Sequence, residues 1–384
     1  MSTKHPKFKV VVLADVPVWM IPGLEYLYRT GVYATWLEAL IPEFEKFENL
    51  DMHWICMSKQ LKDDMEKTAW NQTFHILRRG KKSLSMITAY WSERRSIQKM
   101  IDKINPDLVH AWGTEDVFGL AGTNRKNKIK LFTIQGCLGA CLETMAKPLL
   151  LMRIQAWYEN RTVRAYSEAT GESSLAVRHL ERINPDLTTH MIDYGVSKEF
   201  FKAKWNPGEK PEIIFVGSVT EAKGIRDLCM VMKSPELQEV TLKIAGDGPL
   251  VSELSETCGN NIEWLGRLKR QELIEHMERA WVLVAPTYAD TGPTVVKEAR
   301  VMGMPVVTTT AAGASVYVKA ENSCCVVTPG DRPALRKAIF HLCQSRKKCM
   351  KMGSNGWRET REALNTTTAA TNFFKLYKDL LSKA

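Results

Sequence analysis

Two carboxylates, a Gly-Pro step and a strand-like run lie close together between Ala285 and Pro305. The stretch reads Ala285-Pro286-Thr287-Tyr288-Ala289-Asp290-Thr291-Gly292-Pro293-Thr294, then Glu298, then Gly303-Met304-Pro305. Pro293 suits the first turn of a helix, where its missing N–H would have no partner anyway. A helix opening at Gly292-Pro293 points free backbone N–H groups and a positive dipole end outward, and that combination holds a phosphate or diphosphate. Asp290 just before the helix and Glu298 in its second turn can accept hydrogen bonds from sugar or ribose hydroxyls. The same spacing also suits a capping Asp290 and a solvated Glu298. Spacing alone does not separate the two.

Other turns in this half share the style. Gly217 closes one apolar run, Gly246-Asp247-Gly248-Pro249 another and Gly266 a third. None completes GxGxxG and GxxxxGK[ST] is absent, so neither a dinucleotide dehydrogenase nor a P-loop nucleotidase is supported. The nine cysteines contain no CxxC pair, and neither Cys137/Cys141 nor Cys324–Cys325 has the spacing of a zinc site. Reduced thiols packed as small hydrophobes are expected.

Short β-branched runs alternate with helical stretches through all 384 residues. Strands are expected at Lys9–Leu13, Met52–Met57, Leu108–Ala111 and Lys130–Ile134, with helices over Tyr33–Phe47 and Leu84–Ile104. In the second half, strands over Glu212–Val216, Val240–Ala245, Asn261–Leu265, Ala280–Ala285 and Pro305–Thr309 alternate with five helices. This pattern predicts an α/β protein with mostly parallel, doubly covered sheets. The Lys-, Pro- and Gly-rich Asp193–Pro211 reads as the junction between two doubly wound domains. Ligands of such sheets bind outside the carboxyl ends of the strands.

The motifs of the second half resemble those of the retaining glycosyltransferases of group 1, or family 4, which have the GT-B fold. Their pattern of a Glu, seven residues, a second Glu and a Gly-x-Pro-Val-Val strand is matched by Asp290, Glu298-Ala299 and Gly303-Met304-Pro305-Val306-Val307. Phe215-Val216-Gly217 with Lys223-Gly224, Ile244-Ala245-Gly246-Asp247-Gly248-Pro249, Leu265-Gly266 and Val327-Thr328-Pro329-Gly330-Asp331 follow the family's order. The resemblance implies two Rossmann-like domains facing a cleft: 1–195 on the acceptor side, 196–360 for the donor, and 361–384 as a helix returning to the first domain. It implies that Lys223 neutralises the donor diphosphate with the backbone amides at Gly292 and Thr294, and that Gly217, Ser218 and Gly246 also belong to the donor site. Glu298 would hold the ribose, Asp290 would contact the transferred sugar, and Arg267 would line the base pocket. Asp290 and Lys223 are the catalytic candidates. No metal and no cofactor is implied, since the nucleotide-sugar is a substrate. Two positions depart from the pattern. Ser218 stands where the family has an arginine that clamps the diphosphate, a role Arg267 could take over, and Asp290 is one methylene shorter than Glu.

The first half resembles the family less closely. Gly31 opens a helix where the family has a glycine-rich loop. His110, Glu115 and Gln135 fall at carboxyl ends of expected strands and are the acceptor-side candidates. The formal charge of +10 fits an anionic partner, but no nucleic-acid motif accompanies it. Basic residues gather at Arg78, Arg79, Lys81, Lys82, Arg94, Arg95, Lys99 and Lys103, and again at Arg346, Lys347, Lys348 and Lys351. With Trp36, Trp70, Trp91 and Trp112 they suggest a glycan or lipid-linked acceptor at an anionic membrane surface. No run of about eighteen apolar residues is present, and the short basic start lacks the apolar core of a signal peptide. A cytoplasmic enzyme, peripheral at the inner membrane surface, is therefore expected. The implied activity is a hexosyltransferase of cell-envelope polysaccharide synthesis. A nucleotide-sugar-binding protein without turnover and a same-fold epimerase are the alternatives.

Overall fold

The computed structural model describes residues 7–28, 35–80, 85–86, 88–124, 126, 129–143, 150–313, 324–355 and 357–383. The chain divides into two units, one of Met1–Leu142, Lys147–Gly195 and Thr366–Ala384, the other of Glu143–Ala146 and Val196–Asn365.

The first unit holds β1 (Phe8–Leu13), β2 (Leu50–Ser58), β3 (Met65–Ala69), β4 (Gln72–Arg78), β5 (Leu108–Trp112), β6 (Ile129–Thr133), β7 (Glu168–Gly171) and β8 (Thr188–Met191). They form one sheet in the order β3-β4-β2-β1-β5-β6-β7-β8, parallel except where β3 meets β4. β1 shows why its inner strands carry apolar residues on both faces. Val10 and Val12 enter one core and Val11 and Leu13 the other, so both faces are covered.

One core is closed by the last helix, Thr366–Ser382. Its Ala369, Phe373, Leu376, Tyr377 and Leu380 recur at helical spacing and pack with Val10, Val12 and Trp54. Each large apolar side chain buried there contributes about 1.5–3 kcal/mol. The other core is covered by the helices Trp91–Ile104, Val117–Gly122, Leu150–Val163 and Ser174–Ile183.

Several local expectations are corrected. The helix expected over Leu84–Ile104 is interrupted: Ser85 and Met86 are helical, but Ala89 and Tyr90 sit in the left-handed region at φ 51° and 55°, and a separate helix starts at Trp91. Among the described residues, the helix expected over Tyr33–Phe47 is α-helical at Thr35–Leu40 and tightens to a 3-10 turn at Ile41–Lys46, where Pro42 enters. The β3–β4 hairpin turns on Trp70 and Asn71, both at positive φ, a job usually given to Asn-Gly. The expected junction contains a short helix, Lys198–Lys202, whose Phe200 is fully inside the second unit's core.

The second unit holds β9 (Glu212–Val216), β10 (Thr241–Ala245), β11 (Ile262–Gly266), β12 (Val282–Ala285), β13 (Val306–Thr309) and β14 (Cys324–Val327). The order is β11-β10-β9-β12-β13-β14, and every pair is parallel. The chain runs outward in one direction from β9 and then in the other from β12, so the switch point lies between these two strands. A crevice at their carboxyl ends is where such a sheet takes its ligands.

Candidate active site

The strand ends of the second unit are packed backbone against backbone. Gly217 N–H donates to Ala245 O at 3.0 Å, and Gly246 N–H to Gly266 O at 2.8 Å. A Cβ on Gly246 would stand 1.9 Å from Gly217 O, so no other residue fits there. Gly224 ends the 3-10 turn Glu221–Lys223 at φ 68°, and a Cβ on it would lie 2.0 Å from Pro286 O. The turn is tied down further by two bonds to Ala222 O, from Tyr288 N–H at 2.9 Å and Thr287 Oγ1 at 3.0 Å. These contacts lay the loop after β9 against the loop after β12.

Lys223 and Asp290 meet at that place, and their side chains form an ion pair. Asp290 is held on both sides. Its N–H donates to Ala311 O at 3.2 Å, and its carbonyl accepts from Gly313 N–H at 2.7 Å. Its carboxylate also accepts weakly from Gly292 N–H at 3.3 Å. The helix Thr294–Met302 starts immediately after Pro293 and has no side-chain cap. Its first N–H groups therefore face the Asp290 loop with the positive dipole end behind them.

Glu298 lies one turn further in, partly buried between the fully buried Val296 and Ala299. Burial pushes its carboxyl up to about 7, against the opposing pull of Arg270 and Lys297. The helix itself is anchored from behind by Arg300. That fully buried guanidinium donates to Met304 O at 3.2 Å and to Asn355 O at 2.7 Å.

Gly217, Ser218, Gly246, Lys223, Asp290, Gly292 and Thr294 thus stand on loops or a first turn at the carboxyl edge of this sheet, with Glu298 in the second turn of the helix. Arg267 stands apart from Lys223. It follows β11, two strands from β9 and so about 10 Å away in the sheet, and its Nε lies 3.5 Å from an exposed Asp247 carboxylate. A network that single-sequence reading does not reveal supports the Asp290 loop. Tyr288 OH donates to Asp227 at 2.5 Å, and Arg332 Nε donates to the same carboxylate at 2.7 Å. The three residues come from distant segments, and no spacing rule links them.

In the first unit, the switch point falls between β1 and β5, and Glu115 and Gln135 stand at the ends of β5 and β6. Glu115 accepts from Gly136 N–H at 2.6 Å and Thr114 N–H at 2.9 Å, while burial raises its carboxyl above the usual range. A Cβ on Gly113 would come within 2.3 Å of Gln135 Oε1 and 2.7 Å of Glu115 Oε2, so the three are crowded together. Beneath them is Glu159, fully buried and missed in the sequence. It accepts from Thr114 Oγ1, Leu138 N–H, Gly139 N–H and His179 Nε2 at 2.8–3.1 Å.

The expectation for His110 is corrected. It is fully buried, with one ring nitrogen on Tyr377 OH at 2.8 Å and the other on Thr133 Oγ1 at 2.6 Å. A β5 side chain pointing toward the Thr366–Ser382 helix joins the core, not the loop edge. Gly31 lies outside the described residues. Of the four tryptophans, Trp112 is buried, Trp36 and Trp70 are partly buried against that same core, and Trp91 is 65% exposed.

The family described as glycosyl transferases group 1 matches residues 196–359. Over 255 residues the chain is 23% identical to an MMP alpha-(1->4)-mannosyltransferase of Mycolicibacterium hassiacum, covering 62% of this chain and 60% of that protein. Over 203 residues it is 27% identical to TuaC of Bacillus subtilis, a glycosyltransferase assigned to teichuronic acid biosynthesis, covering 47% of this chain and 50% of that one. The matches thus span between half and two thirds of the length of these relatives. Sucrose-phosphate synthase of Thermosynechococcus elongatus superposes with a TM-score of 0.82 at 16% identity, over 98% of this chain and 100% of that one. HepE of Anabaena, solved with UDP-glucose, superposes with a TM-score of 0.68 at 14% identity, over 97% and 99%. Residues 196–359 are a group 1 glycosyltransferase domain, set in a chain with the GT-B fold.

Proposed function

We propose that this chain is a retaining, metal-independent hexosyltransferase that moves a sugar from a nucleotide-sugar donor to a glycan or lipid-linked acceptor in cell-envelope polysaccharide synthesis. The observation that carries the reading is the Lys223–Asp290 pair beside an uncapped helix start at a topological switch point. The lysine and the free N–H groups supply positive charge where a departing diphosphate needs it. Lys223 exchanges Asp290 for the diphosphate when the donor enters, which frees Asp290 for the hydroxyls of the transferred sugar. Glu298 takes the ribose hydroxyls. The bond from the anomeric carbon to the diphosphate oxygen breaks, and the acceptor hydroxyl attacks from the same face. Its proton passes to the departing oxygen, so no side chain has to act as a strong base. Ser218 offers one hydroxyl in place of a guanidinium, and the helix amides take more of the load. Gly31, Glu115 and Gln135 are assigned to the acceptor side. The resemblance to TuaC, assigned to teichuronic acid biosynthesis, supports a cell-envelope product, and that to HepE supports a nucleotide-sugar donor.

Calorimetry across UDP-, GDP- and ADP-linked sugars tests the donor. Product anomer by NMR and turnover in chelator test retention and metal independence. Absence of binding to every donor would sink the reading. A second reading, donor binding without transfer or an epimerase, draws on Ser218 and on the engagement of Lys223 by Asp290. Donor hydrolysis and product analysis, compared between wild type and Glu298→Ala, separate it from the first.

A further inference from the structure

The helices Trp91–Ile104 and Leu150–Val163 cover one side of the eight-stranded sheet, and both pack against Val117–Gly122, all six residues of which are buried. Tyr90 and Tyr158 bring the two outer helices together, with ring centroids 6.1 Å apart, and Tyr158 OH donates to Met86 O at 2.9 Å. Their solvent faces are built alike. Trp91, Arg95 and Lys99 recur every fourth residue on one helix, and Arg153, Trp157 and Arg161 on the other. Trp91 is 65% exposed, Trp157 56%, and Leu150 and Leu151 at the helix start 73% and 52%. In each helix the arginine four residues on lies over the indole, Arg95 at 5.6 Å and Arg161 at 5.7 Å.

Two of the three acids of these helices are turned away from this face. Glu93 is buried and accepts from Ser85 Oγ, and Glu159 is buried beneath the β5 and β6 loops. Asp102 is the third, exposed on the same stripe three residues past Lys99, where it stands against the cations Arg95, Lys99, Arg153 and Arg161. Two indoles and two leucines held in water are unfavourable unless something covers them. Indole beside guanidinium matches the boundary of a bilayer, where the ring lies at headgroup depth and the cation meets phosphate. The excess of cations selects an anionic surface.

We infer that this face, centred on Trp91/Arg95 and Trp157/Arg161, docks the first unit onto an anionic bilayer. The inference deepens the acceptor part of the proposed function, and its test needs no turnover. Full-length protein is sedimented with vesicles of neutral lipid and of neutral lipid mixed with phosphatidylglycerol. Binding to the mixed vesicles, weakened by salt, is the expected result. Trp91→Ala/Trp157→Ala and Arg95→Glu/Arg161→Glu should each weaken it about tenfold or more, judged from the binding strength that surface aromatics and cations supply. Brominated lipid should quench tryptophan emission in the wild type and less in the double tryptophan variant. Lys347→Glu/Lys348→Glu/Lys351→Glu removes more net charge from an exposed site elsewhere, and should leave most of the binding. Equal loss in that control, or wild type that ignores anionic vesicles, overturns the proposal. A donor titration run beside it keeps the outcomes apart. Vesicle binding without donor binding retains the docking face and removes the transferase reading, and the reverse result does the opposite.

Discussion

Lys223 and Asp290, 67 positions apart in the chain, form an ion pair at the ends of neighbouring strands β9 and β12. The pair exists because Gly224 has no side chain to hold the Lys223 turn away from Pro286, and because Ala222 O accepts from both Thr287 and Tyr288. Both side chains retain some solvent, at 34% and 15% exposure. Water screens the attraction, and the pair can open to admit a more strongly charged ligand.

Replacing the two residues should therefore have different effects. Lys223→Ala should weaken donor binding by about 1.5–3 kcal/mol, the range for a hydrogen bond to a charged group. Asp290→Ala should leave donor binding intact or tighter, because the ammonium loses its competitor, while transfer falls about a hundredfold or more. Calorimetry with the best donor, together with turnover, measures both. Equal losses of affinity in the two variants would count against the exchange of partners.

Glu298 gives a pH signature. Its carboxyl is pushed up to about 7 by burial, so the empty site holds it half protonated near neutrality. Ribose hydroxyls donate best to the ionised form. Donor affinity should then rise about tenfold from pH 6 to pH 8, following the ionised fraction of a group with that pKa. A nucleotide-sugar carries no ionising phosphate in this window, which makes it the right probe. Glu298→Gln should bind more weakly and with a flat profile. The same raised pKa disfavours folding as pH climbs from the ordinary carboxylate range through 7, so the glutamine variant should also gain relative stability at the upper end.

How far these features were legible depends on whether they are local. The placing of Asp290 and Glu298 about a helix start is legible because strand, loop and helix start follow one another within a short stretch, whereas Lys223, 67 positions away, enters only through the family resemblance. The environment of Glu298 was not readable, since its burial comes from the packing of a whole helix. The same reason hid Glu159, whose partners Thr114, Leu138 and His179 arrive from three segments. His110 was misplaced because a strand's alternation gives two faces without saying which side of the sheet meets the last helix. The β3–β4 hairpin is hidden because a bulky Trp70 at positive φ precedes Asn71, so the pair carries only half of a turn signal.

His110 makes the first unit acid-sensitive. Burial holds its pKa down at about 3, against 6.5 for an exposed imidazole. Above pH 6.5 both folded and unfolded forms leave it neutral. As pH falls below that, only the unfolded chain gains the proton, and stability drops. The slope from this one group is about 1.4 kcal/mol per pH unit. Denaturant titrations at pH 6.5 and pH 5, on wild type and His110→Phe, should show a slope smaller by about one proton in the variant. The variant should also start lower, because Tyr377 OH and Thr133 Oγ1 each lose a buried partner.

Glu159 should act on the acceptor without touching it. Its carboxylate gathers Thr114 Oγ1, two backbone N–H groups and His179 into one buried knot under Glu115 and Gln135. In Glu159→Gln an amide NH2 must face at least one of these donors, which costs about 1–3 kcal/mol of stability. The loops after β5 and β6 then lose their fixed spacing. Acceptor KM should rise by more than kcat falls, while the affinity for the nucleotide-sugar stays at the wild-type value, since that site belongs to the other sheet. Steady-state kinetics with varied acceptor, set beside donor calorimetry, measures the split. A parallel fall in donor affinity would show that Glu159 supports the whole fold and not the acceptor loops alone.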